Sequence, residues 1–159
     1  MRRPKRQIRE IEKIKEVVEE CKVCRVGLFS EGKIYVVPMN FGYSFEGEKL
    51  TFYLHSAKVG RKIEALRQEP QVCLELDCRH GLQEADTPCN HSYYYASLIG
   101  TGKAALLRTS EERLAGLKRI MRHQTGKDFD NFDEKWINAV EVIRIELDEY
   151  TAKHYDGTN

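Results

Sequence analysis

The stretch Leu50-Thr51-Phe52-Tyr53-Leu54-His55-Ser56-Ala57-Lys58-Val59-Gly60-Arg61-Lys62 changes character midway. In its first half Leu50, Phe52 and Leu54 alternate with Thr51, Tyr53 and His55, the period of two that a half-buried strand shows. From Ser56 to Leu66 the pattern is that of a short helix, with Ser56 near its N-cap and Pro70 soon after its end. A strand running straight into a helix turns unpaired backbone N–H groups outward, and the helix dipole adds partial positive charge. Phosphate binds readily at such a junction. Ser56 offers a hydroxyl donor, Gly60 permits close backbone approach, and Arg61 and Lys62 supply cationic donors. A capped surface helix with solvated basic residues shares these local features, so the stretch alone leaves both readings open.

Working outward, the period of two recurs. Val26 and Leu28 begin a strand, and Ser30-Glu31-Gly32-Lys33 supplies turn chemistry. Lys33 to Phe41 makes a second strand, which Pro38 confines to a sheet edge, a bulge or a backbone facing a ligand. Glu46-Gly47-Glu48-Lys49 turns into the strand ending at His55, which predicts three consecutive strands in an antiparallel meander. Val72, Leu74 and Leu76 form a fourth strand, and Arg79 to Asn90 reads as a loop. A long strand from about Ser92 to Arg108 holds Gly100 and Gly102, a pair that predicts a bulge or barrel corner. The last strand, Val140 to Leu147, slips in apolar phase between Val142 and Ile143, where a second bulge is predicted.

Two helices frame these strands. Ile8, Ile11, Ile14, Val18 and Cys21 recur at helical spacing, giving an amphipathic helix from roughly Arg9 to Glu20. Thr109-Ser110-Glu111-Glu112 is a capping box that opens a helix ending near Gly126. The whole reads as one domain over 1–159, with its N-terminal helix at about 8–21 and a barrel over about 24–150. The predicted class is mainly β, a six-stranded antiparallel split or closed barrel with peripheral helices, because closure removes exposed edges.

With 159 residues, 41% hydrophobic and 32% charged, the chain is neither disordered nor membrane-spanning by composition. A net charge of +1 argues against bulk nucleic-acid binding. The first 15 residues hold seven basic side chains, including Arg2, Arg3, Lys5 and Arg6, and two acidic ones. They read as a solvated tail leading into the first helix. No apolar stretch follows them as in a signal peptide, and the expected compartment is the cytoplasm.

Five cysteines at irregular spacings read as reduced thiols. Cys78, His80, Cys89 and His91 could tempt a zinc reading, but each pair is separated by one residue, whereas structural zinc pairs stand two to four apart. Cys21 and Cys24 lack the βαβ context of a redox motif. No metal site is expected. Fingerprints for nucleophilic hydrolysis and nucleoside triphosphate binding are also missing.

Four segments in order, CRVGLFSEGKIYVVPMNFGY (24–43), LTFYLHSAKVGRKIEALRQEP (50–70), YYYASLIGTGKA (93–104) and MRHQTGKDF (121–129), resemble the nitroimidazole-resistance proteins. These are a branch of the pyridoxamine 5′-phosphate oxidase-like FMN-binding split barrels, and the likeness runs from about Ile8 to Lys153. The resemblance implies a homodimer with FMN at the subunit interface. It implies that Arg61 and Lys62 hold the FMN phosphate with Ser56. Val37, Pro38, Met39 and Asn40 would lie along the isoalloxazine ring, with Leu54 and His55 under the ribityl chain and ring. Tyr95 and Ser97 would face the cofactor from the partner subunit, and His55 would be the active-site residue. The C-terminal IELDEYTAKHYDGTN lacks the tryptophan and arginine with which pyridoxamine phosphate oxidases bind substrate. The implied activity is therefore electron transfer from NADH or NADPH to a nitro-aromatic or similar small acceptor. The alternative is a flavin-, haem- or deazaflavin-binding sensor or carrier with little turnover.

Overall fold

Alternating burial builds the sheet. In the computed structural model, which describes residues 3–158, the chain runs β1 (Gln7–Ile8), α1 (Ile11–Glu20), β2 (Val23–Ser30), β3 (Lys33–Asn40), β4 (Gly42–Glu46), β5 (Lys49–Ala57), α2 (Arg61–Gln68), β6 (Gln71–Gln83), β7 (Ser92–Leu106), α3 (Ser110–Thr125), α4 (Glu134–Ala139) and β8 (Val140–Tyr155). Arg2 lies outside the described residues. All pairings are antiparallel, in the order β3-β2-β6-β7-β8-β5-β4, with β1 added on β8. The sheet curls until β3 lies against β5 without a ladder between them, so the barrel is split there.

The predicted mainly β barrel is present, and its six strands are joined by the short β1 and β4. The meander is corrected. Gly42–Glu46 is a strand of its own, and the turn at Gly47 joins β4 to β5. The hairpins β2–β3 and β4–β5 therefore occupy opposite ends of the sheet path. Gly42 makes the crossing possible: a Cβ there would fall 2.3 Å from the Arg119 carbonyl carbon and the Ile120 nitrogen of α3.

Phe41, Phe52, Leu54, Leu74, Leu98 and Ile145 fill the interior, each contributing about 1.5–3 kcal/mol by leaving water. From α1, Ile14, Val17 and Val18 join the same core, as do Ile63 and Leu66 from α2. Helix α3 covers the outer face of β4, β5 and β8. Its Gly116 lets Val142 and Tyr53 approach closely, since a Cβ would stand 2.7 Å from Val142 Cγ1. That packing corrects the bulge predicted at Val142–Ile143. The β5–β8 register is unbroken there, and both residues are buried because Ile143 faces the core while Val142 lies under α3.

The other bulge is where the glycines predict it. Pairing passes from Thr101–Glu149 to Gly102–Leu147, leaving Asp148 as the extra residue. A Cβ on Gly102 would lie 2.0 Å from the Glu146 carbonyl oxygen.

The capping box is formed: Thr109 Oγ1 accepts from the Glu112 amide, and the Glu112 carboxylate accepts from the Thr109 amide. Gly126 ends α3 at φ 72°. The predicted loop Arg79–Asn90 is corrected, because β6 continues to Gln83 through a register shift between Cys78 and Gly81. The final strand likewise runs on to Tyr155. Among the described residues, no helix is long and apolar enough to cross a membrane.

Candidate functional site

Strand β5 carries the chain into the site. Register pairs His55 with Val142 and Ser56 with Glu141, so successive side chains take opposite faces. His55 is exposed on the outer face, whereas Leu54 and Ser56 point inward and are buried. The Ser56 hydroxyl has no hydrogen-bond partner among the described residues. An orphaned buried hydroxyl costs about 1–3 kcal/mol unless something outside the chain satisfies it.

Ser56 is not the N-cap, which corrects the sequence reading. β5 continues to Ala57, and the helix begins only at Arg61. The cap is Gly60, at φ 125° and ψ 167°, a conformation open to glycine and strained for other residues. No side chain caps α2. The amides of Ile63 and Glu64 turn back to the Gly60 carbonyl at 3.0 and 3.1 Å. Among the described residues the amides of Arg61 and Lys62, the first two of the helix, are left without a backbone partner. A Cβ on Gly60 would meet nothing within 4 Å, so the approach to those amides is open.

The two cations beside this opening differ. Arg61 Nε donates to Ser30 Oγ at 2.9 Å, and its guanidinium carbon lies 4.3 Å above the Tyr35 ring. These contacts pin Arg61 to the β2–β3 hairpin. Lys62 is half-buried. Neither has a carboxylate partner among the described residues. Ser30 and Tyr35 were not singled out from the sequence, because only the fold brings their hairpin to α2.

Strand β3 is the sheet edge, as Pro38 predicts, so one row of its backbone groups has no ladder partner. Along it Val37 and Met39 pack inward, while Pro38 and Asn40 are exposed. Asn40 Nδ2 donates to the Lys22 carbonyl at 3.1 Å and to Gln124 Oε1 at 3.2 Å. Gln124 Nε2 donates in turn to the carbonyls of Lys22 (3.0 Å) and Phe41 (2.9 Å). The segment MRHQTGKDF thus serves as a clasp on the end of β3.

His123 completes the clasp. Its Nε2 lies 2.7 Å from the Cys21 carbonyl, which can only accept, so Nε2 carries a proton. Burial pushes this imidazole down from its ordinary range, outweighing the Cys21 carbonyl and the Glu19 carboxylate 3.4 Å from Nδ1.

The structure therefore gathers Ser56, Arg61 and Lys62 at the β5–α2 corner, with Val37 to Asn40 along the neighbouring free edge. It does not bring Tyr95 and Ser97 there. They stand on β7, separated from β5 by β8 and from β3 by β2 and β6.

The cysteine and histidine candidates do not converge either. His80 pairs with Asp77, and His91 Nδ1 lies 3.1 Å from the Thr87 carbonyl. Among the described residues, no three potential ligands are grouped to hold a metal. All five thiols are free. Burial pushes Cys24 up to about 12 and raises Cys21 further, which suits packing and not thiolate chemistry.

No curated protein matches the chain. Residues 10–154 match the family described as pyridoxamine 5′-phosphate oxidase. A solved structure of a candidate 5-nitroimidazole antibiotic resistance protein from Bacteroides thetaiotaomicron is 33% identical, covers 93% of this chain and 86% of its own, and superposes with a TM-score of 0.80. The flavocytochrome Anf3 from Azotobacter vinelandii is 21% identical over 95% of this chain and 70% of its own, with a TM-score of 0.78. An FAD-binding protein from Mesorhizobium loti is 18% identical over 95% of this chain and 98% of its own, with a TM-score of 0.64. At these lower identities the last two show the fold alone. The split in the barrel and the match over nearly the whole length agree, and the chain belongs to the pyridoxamine 5′-phosphate oxidase-like split-barrel family.

Proposed function

We propose that this protein is an FMN-dependent oxidoreductase of the nitro-aromatic reductase kind, acting as a homodimer. The observation that carries the reading is the uncapped start of α2, where free amides, Gly60 and two cations without acidic partners surround an open approach. That donor set fits a phosphate dianion. The orphaned Ser56 hydroxyl is a further donor in need of an acceptor. Along the free edge of β3, the backbone of Val37 to Asn40 offers donors and acceptors to a flat heterocycle. The likeness to the Bacteroides protein supports the nitro-aromatic class of acceptor.

Bound flavin would supply electron transfer from a nicotinamide donor to the acceptor. The chain supplies the rest. Arg61 and Lys62 neutralise the phosphate, the clasp of Gln124 on Asn40 holds the edge strand in place, and His55, exposed on β5, is the side chain assigned to orient an acceptor or deliver a proton.

Dimerisation is supported by the outer sheet face. Ile34 (76% exposed), Val36 and Phe29 form an apolar area on β3 and β2, flattened by Gly27, which pairs with both Val36 and Cys73. Exposed apolar area of this kind marks association surfaces. A partner seated there would bring its own Tyr95 and Ser97 toward the cofactor.

The test is spectroscopic. The purified protein should show flavin absorbance or quench the fluorescence of added FMN. NADH or NADPH should then reduce the flavin within seconds, and a nitroimidazole should reoxidise it without air. A colourless protein that leaves FMN fluorescence unchanged overturns the reading. Flavin that binds but resists reduction identifies a carrier instead.

A further inference from the structure

The basic N-terminus, read from the sequence as a solvated tail, is part of the fold. Gln7 and Ile8 pair with Lys153 and Ala152 of β8, and Ile8 is buried in the core. This pairing seats the preceding turn, Pro4–Arg6, beside the sheet. The Arg6 guanidinium carbon lies 3.9 Å above the Tyr155 ring, and Tyr155 donates to Gln83 Oε1 at 2.8 Å. Arg6 is thus held on an anchored ring.

Arg3, Arg6, Lys153 and Tyr95 line a single cleft of about 320 Å³. Several basic side chains elsewhere on the surface have acidic partners close by, among them Lys49 with Glu146, Lys118 with Asp130 and Arg122 with Asp128. Among the described residues, Arg3, Arg6 and Lys153 enter no such pair. Three cations facing one small volume repel one another, and an anion placed between them reverses the sign of that interaction. The volume is at the small end of ligand sites, suited to one charged group and not to a whole dinucleotide.

We propose that this cleft is a binding subsite for the diphosphate group of a phosphorylated redox donor of the nicotinamide dinucleotide class. The anion follows from the cleft itself. The donor class rests on the flavin reading above, in which Tyr95, the aromatic wall of this cleft, faces the cofactor of the partner subunit. Guanidinium groups at Arg3 and Arg6 and the ammonium of Lys153 would share the diphosphate oxygens, with the Tyr95 hydroxyl as a neutral donor.

Calorimetric titration of the full-length protein with inorganic pyrophosphate at low salt should show saturable binding that weakens as NaCl is added. Separate Arg6→Gln and Lys153→Gln substitutions should each weaken it at least about tenfold, while FMN affinity, read by fluorescence quenching, stays within about twofold. ADP-ribose should bind and compete with pyrophosphate. Absent pyrophosphate binding, or binding that both substitutions leave unchanged, overturns the site. Pyrophosphate binding without ADP-ribose binding overturns the donor assignment in favour of a smaller phosphorylated acceptor. If FMN fails to bind while pyrophosphate behaves as expected, the flavin reading falls and the anion site stands.

Discussion

Lys62→Ala and Arg61→Ala separate two roles that the sequence presents as one basic pair. Lys62 has no side-chain hydrogen bond or ion pair to lose among the described residues, so its removal should leave the apo protein within about 0.5 kcal/mol of its original stability. Its loss to cofactor binding should be that of a charge-assisted hydrogen bond, about 1.5–3 kcal/mol, which raises the FMN dissociation constant roughly 10- to 150-fold. Arg61 also bonds Ser30 and stacks on Tyr35. Truncating it should remove about 1 kcal/mol for the hydrogen bond and about 0.5–1 kcal/mol for the stacking. At 2–4 °C per kcal/mol for a domain of this size, the apo melting temperature should fall by about 3–8 °C. Thermal unfolding of apo protein and fluorescence titration with FMN measure the two effects independently. The reasoning is refuted if Lys62→Ala binds FMN normally, or if Arg61→Ala melts with the unaltered protein.

Four further outcomes follow from the geometry. Gly42→Ala forces a Cβ more than ~1 Å inside the contact distance of α3 backbone atoms, and should cost about 3 kcal/mol, or ~6–12 °C, by calorimetry; a shift under 2 °C would place the strand crossing elsewhere. His123 has a folded-state pKa below its ordinary value, so the unfolded chain binds more protons between the two. Its contribution is present above about pH 6.5 and lost as the pH falls toward the folded value, and urea midpoints at pH 7.5 and 5.5 should drop less in His123→Asn than in the unaltered protein; equal drops refute this. Ile34→Glu should convert a dimer to monomers in sedimentation velocity, and a variant that remains dimeric moves the interface off this face. His55→Ala should retain FMN affinity within about twofold yet slow nitro-aromatic turnover, whereas normal turnover leaves the histidine without a chemical role.

The candidate site was half legible in the sequence. Gly60, Arg61 and Lys62 could be identified because an anion site at a helix start depends on adjacent residues. The placement of Ser56 could not, since one more strand residue on either side reverses which face a side chain takes. The clasp of Gln124 on Asn40 and the pinning of Arg61 by Tyr35 join residues that are distant in the chain, and no local pattern announces them.

The sequence by itself determined the periods, the capping box at Thr109, the stop at Gly126, the edge character of the Pro38 strand and the bulge at Gly102. Each of these rests on interactions within a few residues or on what a glycine or proline backbone permits. Only the tertiary structure decided that β4 intervenes between β3 and β5, that Val142 is buried by a helix and not by a bulge, and that the basic terminus pairs with β8 to meet Lys153. Those outcomes depend on which apolar faces cover one another across the barrel, and burial of that kind is settled by the whole chain at once.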